Sequence, residues 1–177
     1  MVEKELLGGF SFFFDIPQEQ LAEIAQIGKV SEFDLNQTVF QYGDKAFDLY
    51  GVMDGEVELS ITLRDKIVKK DIQYEDSIQT RIETIEKDII IVSIEPGEIF
   101  GWSAFINPKT YKATAKCSQP ASIILLPADK LKTLFDKNPQ LGYVFMERLS
   151  ETISQRLRST TDKLVESWSE AFDGNRI

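Results

Sequence analysis

The groups able to do chemistry in this chain gather in Pro96–Cys117, which reads PGEIFGWSAFINPKTYKATAKC. The stretch joins a Pro-Gly turn, a Phe-Gly step, a short apolar run, an Asn-Pro turn and a strand of alternating side chains. Its donors are the Trp102 indole, the Tyr111 phenol and the Ser103 hydroxyl, with Lys109 in the turn. Each also has a structural reading. Trp102 and Tyr111 suit a core, Ser103 suits a helix start, and Gly97 and Gly101 suit turns that need a glycine backbone. Glu98 reads as a turn or surface residue beside any pocket there, and Cys117 as buried and inert.

No catalytic constellation joins them. The 177 residues include no histidine, which removes imidazole bases, the commonest metal ligand and the usual neutral-pH switch. A single cysteine excludes an intrachain disulfide and a thiolate zinc cluster, and fits a reducing cytosol. No carboxylate pair, serine with a base or P-loop stands out, so the chain reads as a cytoplasmic non-enzyme without a catalytic or metal residue. The formal net charge of -9 argues against broad attraction to DNA or to an anionic membrane. The N-terminal apolar run lacks a basic flank and is cut by Asp15 and Pro17, unlike a signal peptide, and no run approaches the length of a membrane span.

The elements that must position the stretch can be read in order. Residues 3–14 suggest a short helix or turn and then an aromatic plug, Phe10, Phe12, Phe13 and Phe14, capping a core or meeting a membrane or partner. Asp15-Ile16-Pro17 starts a helix with Leu21, Ile24 and Ala25 on one face. From Val30 the period becomes two, in VSEFDL, TVFQYGD and DLYGVMDGEVELSITL, with turns at Gly43-Asp44 and Asp54-Gly55. Val57, Leu59, Ile61 and Leu63 alternate as apolar positions, and the apolar run in DIIIVSI (88–94) reads as core. Residues 64–88 read as an extended hairpin or as a loop with a partly ordered insert, on which Lys66, Lys69 and Lys70 form a solvated basic cluster. ASIILL (121–126) is the last strand, and Pro127 and Asp129 start a short helix with Leu131, Leu134 and Phe135 buried.

Beyond Asn138-Pro139, Phe145, Leu149, Ile153, Leu157, Leu164 and Trp168 recur at spacings of four, four, four, seven and four. That is one amphipathic helix of about 30 residues, or about 45 Å, longer than a small β domain can cover. Its stripe is expected to meet a second copy, giving a homodimer. The resulting division is a β domain with its N-terminal helix over residues 1–136 and a long, dimerising helix over 137–173. The fold class is mainly β with helices, a jelly-roll-like β-roll of short antiparallel strands.

This order resembles the cyclic-nucleotide-binding domain, the β-roll sensor of catabolite activator-like proteins, over roughly residues 5–160. LYGVMDGEVELS resembles its strand-turn-strand around a central glycine, here Gly55, and VFQYGD the strand and turn before it, with Gly43 and Asp44. PGEIFGWSAF followed by YKATA resembles its phosphate-binding cassette. The resemblance implies that a Phe-Gly step and the N–H groups of a short helix cradle the cyclic phosphate, that a glutamate reads the ribose hydroxyl and that an arginine pairs with the phosphate. Phe100 and Gly101 match the step, Ser103, Ala104 and Phe105 the short helix, and Ala113 and Thr114 the following strand. Trp102 stands where the glutamate is expected and Tyr111 where the arginine is expected.

The candidate ligand-binding residues are therefore Gly97, Phe100, Gly101, Trp102, Ser103, Ala104, Lys109, Tyr111, Lys112 and Thr114, although strand alternation turns Lys112 to the other face. Losing a charge-assisted bidentate partner should cost several kcal/mol, on the order of 2–5 when buried. The expected function is a free-standing regulatory, ligand-sensing domain that does not take cyclic AMP or cyclic GMP in the usual mode and signals through its last helix to a homodimer partner or a separate effector. A small anionic or aromatic ligand could use Tyr111, the indole and the cassette backbone. Two alternatives stay open: an interaction module whose pocket its own side chains fill, and a cyclic-nucleotide binder by a variant mode. Relatives that regulate transcription carry a helix-turn-helix after the long helix. The sequence stops at Ile177, so no recognition helix and no direct DNA binding are expected.

Overall fold

The computed structural model describes residues 2–74 and 77–173, with side chains considered outside 65–74, 77–83 and 170–173. Helix α1 (Lys4–Leu7) and a 3-10 turn (Ser11–Phe13) lead into α2 (Gln18–Ile27). Strands β1 (Lys29–Phe33), β2 (Thr38–Phe40), β3 (Asp48–Asp54), β4 (Val57–Tyr74), β5 (Ser77–Ile94) and β6 (Ile99–Phe100) follow. A second 3-10 turn (Trp102–Ala104) precedes β7 (Thr114–Cys117), β8 (Ala121–Pro127), α3 (Ala128–Lys137) and α4 (Pro139–Asp173). The strands form two antiparallel four-stranded sheets, ordered β1-β8-β3-β6 and β2-β7-β4-β5. This is the β-roll that the short strands and glycine turns imply. Among the described residues no helix is long and apolar enough to cross a membrane.

The centre of the first sheet, β3 and β8, is buried on both faces, which explains why β8 is a nearly unbroken apolar run. In β3, Tyr50 and Val52 face the second sheet while Leu49 and Met53 face the helices. In β8, Ile123 and Leu125 face inward while Ile124 and Leu126 meet the helical layer. That layer contains Leu21, Ile24 and Ala25 of α2, Leu131 of α3 and Leu141, Phe145 and Leu149 of α4. Phe10, Phe12 and Phe13 join it, with Phe12 edge-on to Phe145 at 4.9 Å, so the aromatic segment caps the core. Phe14 does not; it lies exposed beyond the plug. Arg148 of α4 ties this segment down further by pairing with Asp15.

Four apolar positions need correction, for one geometric reason. Strand β7 has four residues and pairs with β4 only over Val57–Ser60. Past Ser60 the β4-β5 pair runs on, and among the described residues no second layer covers it, so burial ends there. Val57 is fully buried and Leu59 partly, but Ile61 and Leu63 are exposed. Ile89 and Ile90, read as the centre of a core strand, are exposed as well. Residues 64–88 fall within the paired strands β4 and β5, apart from Glu75 and Asp76, which lie outside the described residues. The side chains of Lys66, Lys69 and Lys70 also lie outside them.

The stripe on α4 divides in two. Phe145 and Leu149, expected at a dimer contact, are buried in this chain's own helical layer, and Ile153 packs against its edge. They are unavailable to a partner because α3 turns back at Asn138-Pro139 and lays the start of α4 against Phe135. Leu157, Leu164 and Trp168 lie past that layer and are 66%, 50% and 61% exposed.

Gly51 is the tightest point of the two-sided sheet. A Cβ there would stand 2.5 Å from the Phe10 ring and 3.0 Å from Ile124, so only glycine lets the aromatic plug lie flat on β3. Gly51→Ala is expected to lose about 1–3 kcal/mol by overpacking, read as a lower urea midpoint at unchanged slope. An unchanged midpoint would show that the plug is not pressed against β3.

Candidate functional site

The cassette begins at a turn set by its own residues. Pro96 and Gly97 occupy its middle, Gly97 at φ 87°, and the Glu98 carboxylate accepts from the Glu95 N–H at 2.9 Å. The Gly97 N–H donates to the Val52 carbonyl at 2.8 Å and the Val52 N–H to the Glu98 carbonyl at 3.0 Å, which fastens the turn to β3. Phe100 then enters the core fully buried. Gly101 takes φ 84°, where a Cβ would stand 2.7 Å from the Tyr50 ring and 3.1 Å from the Asp48 carbonyl oxygen. The Phe-Gly step thus lets the chain pass hard against β3 before it coils through Trp102–Ala104.

Beyond that step the two noteworthy aromatics part company. Tyr111 goes into the roll. It is 3% exposed and stacks on Phe40 with ring centroids 3.7 Å apart and planes 13° apart. Its hydroxyl donates to the Asp48 carbonyl at 3.1 Å, accepts from the Asp48 N–H at 3.4 Å and lies 3.4 Å from the Tyr50 hydroxyl. Tyr50 stacks on Phe100 at 5.0 Å, and Phe40 lies 5.9 Å from Phe100, which closes a four-ring cluster between the sheets. Burial pushes the phenol pKa values of Tyr50 and Tyr111 up, so both stay neutral.

Trp102 turns the other way, toward the helices, where the guanidinium carbon of Arg156 lies 5.7 Å from its ring centroid. Arg156 Nη2 also lies 3.6 Å from Glu98 Oε1. Burial lowers the Arg156 pKa, partly opposed by Glu98. Trp102 therefore does not share the interior with Tyr111, although both residues suit a core in the sequence.

The other candidates scatter around these two. Ala104 is buried beneath the 3-10 turn, and Ser103 is partly exposed on it. The N–H groups of Ala104, Phe105 and Ile106 are spent on the carbonyls of Gly101, Trp102 and Ser103 within the turn. Lys109 is exposed at φ 56°, and its neighbour across the turn, Lys132 of α3, reaches the Ala104 carbonyl at 3.5 Å. Strand β7 starts only at Thr114, so Tyr111 is not a strand residue but lies in the approach to one, while Lys112 is exposed away from the roll. The Thr114 hydroxyl accepts from the Tyr42 N–H at 3.1 Å.

Sequence reasoning missed Phe40, Tyr50, Asp48 and Arg156. The first three meet Tyr111 only once the chain is folded and the two sheets face each other. Arg156 did carry a signal, because it stands seven residues after Leu149 and three after Ile153, on the edge of the buried stripe.

A family model for the cyclic nucleotide-binding domain matches residues 77–138, from β5 through α3. No curated protein matches the chain. Solved structures do. A Geobacter metallireducens GS-15 protein named for cyclic nucleotide binding is 26% identical, with 89% of this chain and 99% of its own covered at a TM-score of 0.67. A cyclic nucleotide-binding domain of Methylobacillus flagellatus is 22% identical over 92% of this chain and 80% of its own, also at 0.67. The regulatory subunit of a cAMP-independent protein kinase A of Trypanosoma brucei, a triple mutant with cAMP bound, is 17% identical over 90% of this chain and 49% of its own, at 0.63.

The ring cluster sets an alkaline limit. A phenol whose folded pKa lies above its unfolded value near 10.0 favours folding fully below that value and loses the contribution as pH rises past it. The melting temperature is expected to fall above about pH 10, and Tyr50→Phe and Tyr111→Phe should each make that fall shallower than in the parent protein. Identical slopes in all three would show that neither phenol is buried as described.

Proposed function

Starting from its cyclic nucleotide-binding domain fold, we propose that this chain is a regulatory domain whose roll interior is closed by its own side chains, so that it works without cyclic AMP or cyclic GMP in the usual mode. The observation that carries this reading is the Tyr111 ring, stacked 3.7 Å from Phe40 with its hydroxyl satisfied by the Asp48 backbone. A phosphate bound there would have to break that stack and strand the phenol. It would gain no guanidinium in exchange. A buried arginine without a ligand leaves an uncompensated charge, costly on the order of 3–5 kcal/mol, whereas the hydrogen-bonded tyrosine leaves none.

In this reading the output element is the second half of α4. Leu157, Leu164 and Trp168 present an exposed apolar stripe. Its proposed occupant is the same stripe of a second copy in a cytoplasmic homodimer, which would give a separate effector two ordered helices to recognise. The chain is proposed to act by binding rather than by catalysis.

Calorimetric titration tests the interior. Cyclic AMP and cyclic GMP are expected to give no saturable heat with the parent protein, and the double change Trp102→Glu with Tyr111→Arg should bring in measurable affinity. Micromolar binding by the parent would overturn the reading, and no gain in a folded double variant would count against the cassette alignment. Light scattering after gel filtration tests the output. The protein is expected to run as a dimer, and Leu164→Glu with Trp168→Glu should shift it to a monomer with an intact far-ultraviolet spectrum. A monomeric parent would remove α4 as a dimer element.

A further inference from the structure

A second recess lies outside the closed interior. A cavity of about 380 Å³ opens between the end of β5, the Glu95–Glu98 turn and α4. Ser93, Glu95 and Glu98 line one wall, and Arg156, Ser159 and Lys163 line the other. The α4 residues fall three and four apart, on one face of the helix, so their spacing alone presents a continuous polar wall.

The charges on the two walls are of opposite sign and only partly used. The Arg156 side chain is 15% exposed and its Nη2 makes a loose pair with Glu98 at 3.6 Å. Nη1 is buried and has no hydrogen-bond partner among the described residues. A guanidinium N–H held out of water without an acceptor is costly, and the burial that lowers the Arg156 pKa is the same desolvation. The Trp102 ring holds the guanidinium at the cleft. Lys163 lines the same cleft two helical turns further along.

The geometry points to a small-molecule site in this cleft, taking a carboxylic acid that also carries an amino or hydroxyl donor. The carboxylate lies between Arg156 and Lys163, and turning the guanidinium toward it gives the buried Nη1 its missing acceptor, in a charge-assisted hydrogen bond. The donor group faces the carboxylates of Glu98 and Glu95, and Ser93 and Ser159 supply hydroxyls that can donate or accept. A site with both signs of charge on its walls favours a ligand with both polarities over a bare anion. The occupant bridges the cassette turn to α4, so binding fixes the helix against the roll. The site does not depend on whether Tyr111 closes the interior.

The test is amide nuclear magnetic resonance on the full chain, titrated with the common L-amino acids, lactate, malate and citrate. Acetate and inorganic phosphate are run alongside. At least one amino or hydroxy acid is expected to shift the amides of Ser93 and Ser159 saturably. Arg156→Gln and Lys163→Gln should each weaken it by about tenfold or more. Because Lys163 is exposed, its variant keeps the test decisive if Arg156→Gln does not fold. Three results would overturn the proposal: no acid shifting these amides, the same affinity in Lys163→Gln, or acetate or phosphate acting as well as the best acid. Cyclic nucleotides are absent from this series, so its outcome is separate from that of the calorimetry.

Discussion

A phenol buried between two sheets must find hydrogen-bond partners, and the Tyr111 hydroxyl finds them on both polar groups of the Asp48 backbone. Much of the roll is fitted to that constraint. Asp48 opens β3, and its carbonyl stands 3.1 Å from where a Cβ on residue 101 would be, so the chain can pass only as glycine. The passage places Phe100 on Tyr50, and Phe40 completes the cluster by stacking on Tyr111. Aromatic pairs of this kind contribute about 0.5–1.5 kcal/mol each beyond the area they bury. The interior is therefore an ordinary hydrophobic core with two satisfied hydroxyls, and no charge in it waits for a counter-ion.

The same strand carries the second layer. Because β3 and β8 are buried on both faces, anything that shifts the ring cluster presses on the helices through one thickness of sheet. Tyr50 and Val52 face inward where Leu49 and Met53 face α2, α3 and α4. Packed interiors transmit such displacements because they contain little free volume. The first turns of α4 are anchored in that layer by Leu141, Phe145 and Leu149, and the remainder leaves it. A helix fixed at one end and free at the other converts a small rotation at the anchor into a larger displacement at Trp168.

Much of the architecture was legible in the sequence because it follows from local rules. The change of period at Val30, the glycines at turns and the proline that opens α4 fix the element types and order. What local rules could not supply was which face of an apolar run meets a second layer. Ile61 alternates as well as Val57 does and Ile89 belongs to an apolar run, but β7 is too short to cover them, and strand lengths do not announce themselves in such patterns. The ring cluster was hidden for a related reason, since Tyr111 and Tyr50 are 61 residues apart and meet only through the sheets. The stripe on α4 was read correctly as a helix face. Its partner changed along its length, from this chain's own core at Phe145 to solvent at Leu157, because the helix outruns the layer it packs on.

Trp102 and Tyr111 look in sequence like two losses from one site, yet physically they do different things. Tyr111 fills the interior. Trp102 leaves it and, with Glu98, holds a cation that comes from α4 rather than from a strand of the roll. A guanidinium rooted in the roll would report a ligand only to the sheet around it. One rooted in α4 moves with the helix, so a ligand in the proposed cleft would act on the element that leaves the domain. The aromatic at position 102 matters to that arrangement because it offers the guanidinium a face without neutralising its charge.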